Sequence, residues 1–263
     1  MRTKTISLVM LIALCTTTST LLAQYQRKIN TFADTNFTNT KNLVKLNVTA
    51  LLLKNISVQY ERAVGKKISV ALGVRYMPKS GLPFKSSFDK LIDDDETSRQ
   101  LDGFKTGNIS FTPEVRFYTG SKGVFRGFYI APFAKISNYT AELPYYYTVY
   151  DAVTNVGTEK SIFMSGNLKT FTGGVMIGAQ WKLPKQFYLD WWIFGPSYGT
   201  SSGKLTGTAA LSQQEQDELR SSLESLDIPL TKSTATVNNE GARLDIKGPW
   251  AGIRAGLAIG YRF

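Results

Sequence analysis

The sequence predicts an all-β fold: an eight-stranded antiparallel barrel with long loops at one end and a short helix in the last loop. Three observations predict it. Eight segments alternate apolar and polar residues with period two, the signature of strands whose two faces meet different surroundings. Their connections alternate between short and long. No stretch of the chain beyond its first residues is apolar enough for a spanning helix, which needs roughly 20 residues.

The segments follow in order from Asn42. On one parity the first carries Val44, Leu46, Val48, Ala50 and Leu52, and the second Ile56, Val58, Tyr60 and Arg62. The third carries Ile68, Val70, Leu72, Val74 and Tyr76, and the fourth Ile109, Phe111, Pro113, Val115 and Phe117. Phe128, Ile130, Pro132, Ala134 and Ile136 make the fifth. Phe171, Gly173, Val175, Ile177, Ala179 and Trp181 make the sixth. The seventh is Phe187, Leu189, Trp191 and Ile193, and the eighth runs in alternate residues from Ala251 to Phe263. Arg62 is the one charge on this parity, placed beside a turn where it can snorkel. The opposite parity holds seven basic and three acidic side chains with many glycines and hydroxyls.

Size decides which face is inside. An eight-stranded interior is only just filled by side chains, so it cannot take several dozen bulky apolar residues. The apolar face therefore looks outward into lipid, and the fold is a transmembrane barrel. The connections agree: Gly65–Lys67, Gly120–Gly127 and Leu183–Gln186 are short, whereas Pro78–Gly107, Glu142–Leu168 and Thr200–Lys247 are long. Short periplasmic turns and long extracellular loops are the asymmetry of outer-membrane barrels. Leu53–Asn55 is the one short connection on the long-loop side. Pro113 and Pro132 flank the Gly120–Gly127 turn symmetrically and predict a local bulge or kink.

Residues 1–23 read as a secretory signal, with Arg2 and Lys4 before the apolar run Ile6–Leu14 and cleavage after Ala23. Cys15 as a lipid acceptor is the rival reading, opposed by the bulky Leu14. Residues 24–41 form a polar periplasmic lead and 42–263 the barrel. Cys15 is the single cysteine, so the processed chain has no disulfide. The formal net charge of +11 becomes +9 on cleavage, and in an exported chain the counter-charge is anionic lipid rather than nucleic acid. Histidine is absent. Ser-His-Asp hydrolysis, Cys-His chemistry and the usual zinc sites are excluded with it, and no cofactor or metal is expected.

The candidate sites are these. Glu61, Arg75, Glu114, Arg116, Asp190 and Arg254 face inward and are expected to form an ion network filling the lumen, with Lys45 a further partner. The sharper alternative is a gate or a weak anion path; a catalytic Glu61–Glu114 pair is a remoter one. Phe117, Phe128, Trp181, Phe187 and Phe263 collect at the short-turn end as an interfacial girdle. Asp93–Glu96 is a solvated acidic run or a calcium bridge to lipopolysaccharide phosphates. Ser212 and Glu215 form a capping box, and Leu219, Leu223 and Leu226 then recur at helical spacing, predicting a helix over 212–226. Pro144–Tyr150, "PYYYTVY", is a ligand-binding tyrosine cluster, an upper girdle or an extended strand.

With its eight segments, its loop asymmetry and its closing "GLAIGYRF", the chain resembles the small outer-membrane β-barrels of Gram-negative bacteria. "KLNVTALLLKNISVQYERAVGKKISVALGVRYMP" and the Ala23–Gln24 junction are similar to uncharacterised Bacteroidota barrels. The resemblance implies that Leu257, Ile259, Tyr261 and Phe263 are the signal read by the barrel-assembly machinery. It implies no enzymatic activity. The expectation is a non-enzymatic barrel of structural or surface-interaction type among outer-membrane lipid and lipopolysaccharide, with a transporter of small solutes or hydrophobic molecules as the alternative.

Overall fold

The computed structural model describes residues 40–81, 103–151, 154–226 and 231–263. The signal and most of the lead, and the acidic run Asp93–Glu96, lie outside the described residues. Among the described residues, nine strands form one antiparallel sheet: β1 (Asn42–Asn47), β2 (Ile56–Ala63), β3 (Ile68–Gly81), β4 (Lys105–Tyr118), β5 (Gly127–Tyr150), β6 (Gly157–Lys182), β7 (Phe187–Thr208), β8 (Lys232–Asn238) and β9 (Gly241–Arg262). Two helices among the same residues interrupt them, α1 (Val48–Leu52) and α2 (Gln213–Glu224). β1 pairs with β9 from Leu43↔Arg262 to Asn47↔Ala258, so β1 to β7 and β9 close an eight-stranded ring. β8 stands outside that ring and pairs with the first residues of β9.

The two faces are those of a membrane barrel. Outward side chains remain open to their surroundings in a continuous band: Leu72 is 48% exposed, Phe111 44%, Ile130 46% and Val175 49%. Their inward neighbours Ala71, Ser110, Ala131 and Met176 are buried. Water does not tolerate an apolar belt of this extent on a monomer, whereas lipid requires it. The chain is a membrane β-barrel. Phe117, Phe128, Phe187 and Phe263 are exposed at the short-turn end, where Phe187 meets Tyr261 edge-on at 5.6 Å. Trp181, half-buried, stacks on Trp191 at 6.4 Å. Arg62 reaches the same end and donates to Asn42 Oδ1 at 2.9 Å.

Four expectations are corrected. The first segment is not one strand: β1 stops at Asn47, and α1 takes Val48–Leu52. Asn47 Oδ1 accepts from the Ala50 amide at 3.0 Å, and the Leu53 and Asn55 amides return to Ala50 O at 3.0 Å. Local asparagine bonding of this kind competes with a ladder, and it turns Ala50 inward while Leu52 faces out. Second, two of the long connections, Glu142–Leu168 and Thr200–Lys247, carry long strand extensions among the described residues. β5 and β6 stay in register from Gly127↔Gln180 to Tyr150↔Gly157, and β7 and β9 continue to Thr208↔Gly241. Tyrosine, threonine and valine suit such a ladder, and "PYYYTVY" is an extended strand. At 22 to 26 residues these four strands are about twice what a tilted span of 9–11 residues needs. Their outer halves therefore project past the lipid.

Third, β7 carries one extra residue between Trp192 and Gly195 relative to both neighbours, a bulge. Ile193 is half-buried, and from Phe194 the outward parity changes to even numbers. Fourth, the prolines cause no bulge. The β4–β5 register is constant from Phe111↔Ile136 to Tyr118↔Tyr129, with pairs lapsing beside Pro113 and Pro132. On their other sides Pro113 still pairs Leu72, and Pro132 still pairs Val175. Both missing donors thus fall on one seam, and the rest of the ladder is untouched.

Leu72→Arg puts a charge near the middle of the lipid-facing band. It is expected to cost about 2–4 kcal/mol, read as a lowered urea midpoint for the protein folded into phospholipid vesicles.

Candidate functional site

Side chains from all eight strands of the ring meet inside it. Asp190 of β7 is the hub. Its carboxylate accepts from Lys45 Nζ at 2.6 Å, Arg116 Nη1 at 2.6 Å, Tyr129 OH at 2.8 Å and Trp192 Nε1 at 3.0 Å. Glu61 accepts from Lys45, Ser69 and, at 2.6 Å, Tyr118 OH, with Arg116 Nη1 at 3.2 Å. Glu114 binds Arg116 Nε and Arg254 Nη1. The remaining guanidinium nitrogen of Arg116 donates to Gln59 Oε1 at 2.8 Å, and its plane lies 4.3 Å from the Tyr129 ring centre.

Lys45, Glu61, Glu114, Arg116 and Asp190 are buried, and only Arg254 retains some exposure. Three cations therefore meet three carboxylates, and the centre of the barrel is formally neutral. Burying charges at this depth is tolerated only when each finds partners. Sequence parity places seven basic residues inward, but the other four stand away from this cluster. Arg75 is corrected in this respect: it donates from Nε to Asn55 Oδ1 at 2.9 Å and joins no carboxylate of the network. Lys45, which sequence reasoning treats as one partner among several, is central. Glu61 and Glu114 are each bound by cations and do not form a free acid–base pair.

Below the network the lumen closes with aromatic rings. Phe125 belongs to the turn between β4 and β5, yet it is 1% exposed and points into the barrel. Its φ of 67°, with Gly123 at 78° and Gly127 at 91°, lets the turn fold back under the rings. It meets Tyr118 at 6.5 Å and Tyr188 at 6.2 Å, and Arg262 covers it at 5.2 Å. Tyr118, Tyr129, Tyr188, Trp192 and Phe125 are the site residues that sequence reasoning missed. A signal existed. Phe117-Tyr118, Phe128-Tyr129, Phe187-Tyr188 and Trp191-Trp192 are aromatic doublets, and a strand must send one member of each to lipid and the other inward. Gly178 completes the fit, since a side chain there would collide with the Tyr129 ring.

At the other end the projecting hairpins have a core of their own. α2 buries Leu219 and Leu223 against Tyr145, Tyr147, Ile162, Met164, Val237 and Leu244. Its capping box forms as the sequence predicts, between Ser212 and Glu215. Lys160 of β6 binds Glu215, and Arg220 donates to Val237 O at 3.0 Å. The Glu215 carboxyl is held down to about 2, first by Lys160 and then by Ser212.

Asp190→Asn removes the charge that Lys45 and Arg116 share, so it is expected to cost about 3–5 kcal/mol by urea unfolding in vesicles. Arg75→Gln, which loses a bond to a neutral amide, is expected to cost about 1 kcal/mol in the same assay.

No curated protein matches the chain. Among solved structures, it is similar to the translocator domain of the autotransporter NalP from Neisseria meningitidis, at 12% identity and a TM-score of 0.35 over 94% of this chain and 98% of that one. It is also similar to a major outer membrane protein from Thermus thermophilus, at 14% identity and a TM-score of 0.34 over 85% of this chain and 98% of that one. Likenesses of this size say nothing of function. A family model covers residues 8–199, from the apolar run near the start to the outer part of β7, and on that match the chain belongs to the family described as protein of unknown function (DUF3575).

Proposed function

We propose that the chain is a non-enzymatic protein of the bacterial outer membrane whose barrel is closed to solutes and which acts through what it presents outside. The observation that carries this reading is the neutral cluster of Lys45, Arg116, Arg254, Glu61, Glu114 and Asp190 above the Phe125 floor. A conducting lumen of eight strands would need unpaired polar groups and a water column. Here the charges at the centre of the barrel are spent on one another. The same pairing argues against catalysis by the lumen carboxylates, and the chain has no histidine to serve as a base.

The short-turn end faces the periplasm in this reading, in keeping with an exported N-terminus and with both barrel termini at that end. Leu257, Ile259, Tyr261 and Phe263 on β9 then serve the barrel-assembly machinery during insertion. The outer hairpins with α2 stand among lipopolysaccharide and above it. They are a surface of structural or interaction type, because they are built around their own core rather than left as loops.

In planar bilayers the purified protein is expected to show no steady conductance, and stable single-channel steps would overturn the closed-lumen reading. Replacing 204–245 with a short turn is expected to leave a barrel that still inserts, read by heat-modifiable gel mobility. Failure to insert would make the outer hairpins part of the barrel's own stability and remove their separate surface role.

A further inference from the structure

One sector of the wall is lower than the rest. β1 has 6 residues and β2 has 8, short of the roughly 9–11 that a tilted span requires. β9 continues upward beside them. On the side away from β7, it pairs with β1 only up to Ala258 and with β8 only down to Lys247. Among the described residues, 248–257 therefore has no strand partner along that edge. α1 lies beside this stretch, and Thr49 Oγ1 accepts from the Leu257 amide at 3.2 Å. The rim is apolar, with Leu52 71% and Ile253 73% exposed. An unpaired edge is costly in lipid, so a gap at this height has to be explained by what it admits.

Behind the gap lies a cavity of about 450 Å³, a size typical of small-molecule sites. Thr49 and Ala50 of α1 line it together with Ile253, Ala255 and Gly256 of β9, so it reaches the seam between them. Its inner wall carries Arg75, Lys135 and Arg254 and no acidic side chain. Lys135 has no acidic partner among the described residues, and it stands close enough to Arg75 and Arg254 to feel both charges. Arg254 shares its charge with Glu114 below and lies 4.2 Å from the Trp192 ring centre at the cavity floor. The cavity thus has a cationic wall inside the barrel and an apolar side against α1 and β9.

We propose that this cavity binds a single-chain amphiphile with an anionic head group, a carboxylate or a phosphate. The head lies against Arg75, Lys135 and Arg254, and the chain leaves between α1 and β9 into lipid. The inference goes beyond the closed-barrel reading. The ion network and the Phe125 floor lie below the cavity, so the occupant is held and not conducted.

The test is binding of radiolabelled palmitate and of hexadecyl phosphate to the full chain in maltoside micelles, with hexadecanol and inorganic phosphate as competitors. One saturable site per chain is expected, with the preferred head group identified by comparing the two amphiphiles. Hexadecanol should compete about tenfold more weakly, and inorganic phosphate not at all. Lys135→Gln and Arg75→Gln should each weaken binding about tenfold, the loss of one charged hydrogen bond, while gel mobility shows an intact barrel. Ala255→Trp should abolish binding by filling the opening. Equal competition by hexadecanol, displacement by inorganic phosphate, or unchanged affinity in Lys135→Gln would each overturn the proposal. A conducting barrel that still binds palmitate with these preferences would overturn the closed lumen and leave this site standing.

Discussion

An open sheet edge is costly in lipid, because nothing there replaces the missing hydrogen bonds. Everything else in this molecule follows from how that constraint is met. β9 has to find β1, and it does so over a short ladder from Leu43↔Arg262 to Asn47↔Ala258. The closure is then fastened from inside. Lys45 on β1 binds Glu61 on β2 and Asp190 on β7, and Arg254 on β9 binds Glu114 on β4. Arg254–Glu114 crosses the lumen between opposite strands and Lys45–Asp190 reaches past β9, ties that backbone ladders between neighbours cannot make.

The interior is layered as a result. At the short-turn end, rings fill the space and Phe125 seals it from a turn. In the middle, three cations and three carboxylates cancel. Towards the outer end, positive charge is left over at Arg75 and Lys135, beside the one sector where the wall is low. The neutral layer is stable because each charge has partners. The cationic layer is accessible because the β1–β2 hairpin ends early. These are different answers to the same problem of charge inside a narrow barrel.

Much of this was legible in sequence. Period-two alternation identified every strand of the ring, since a half-wetted, half-greasy surface leaves no other pattern. Ser212, Glu215, Leu219 and Leu223 identified α2 because capping and helical spacing are local properties. Parity also assigned the inward charges to one face. Less was legible where local bonding overrides a pattern. Val48, Ala50 and Leu52 alternate like a strand, but Asn47 and Asn55 fold them into α1. A bulge in β7 is one residue of register, which alternation cannot reveal in advance, and it changed the sidedness of everything from Ile193 outward. The long connections looked like loops because their polar and aromatic residues alternate without a lipid-facing stripe.

The closed all-β ring, its lipid-facing side and the identities of the charges within it are thus properties of the chain's pattern. These depend on period, length and composition, which are read along the chain. Which charges meet depends on the packing. Lys45 and Asp190 lie 145 residues apart, and whether their side chains converge depends on strand tilt, register and the β7 bulge. The same geometry left Arg75 and Lys135 outside the neutral cluster and set the unpaired stretch of β9 beside them. A residue's side of the wall is written in its parity, but its height and its partner are written in the packing.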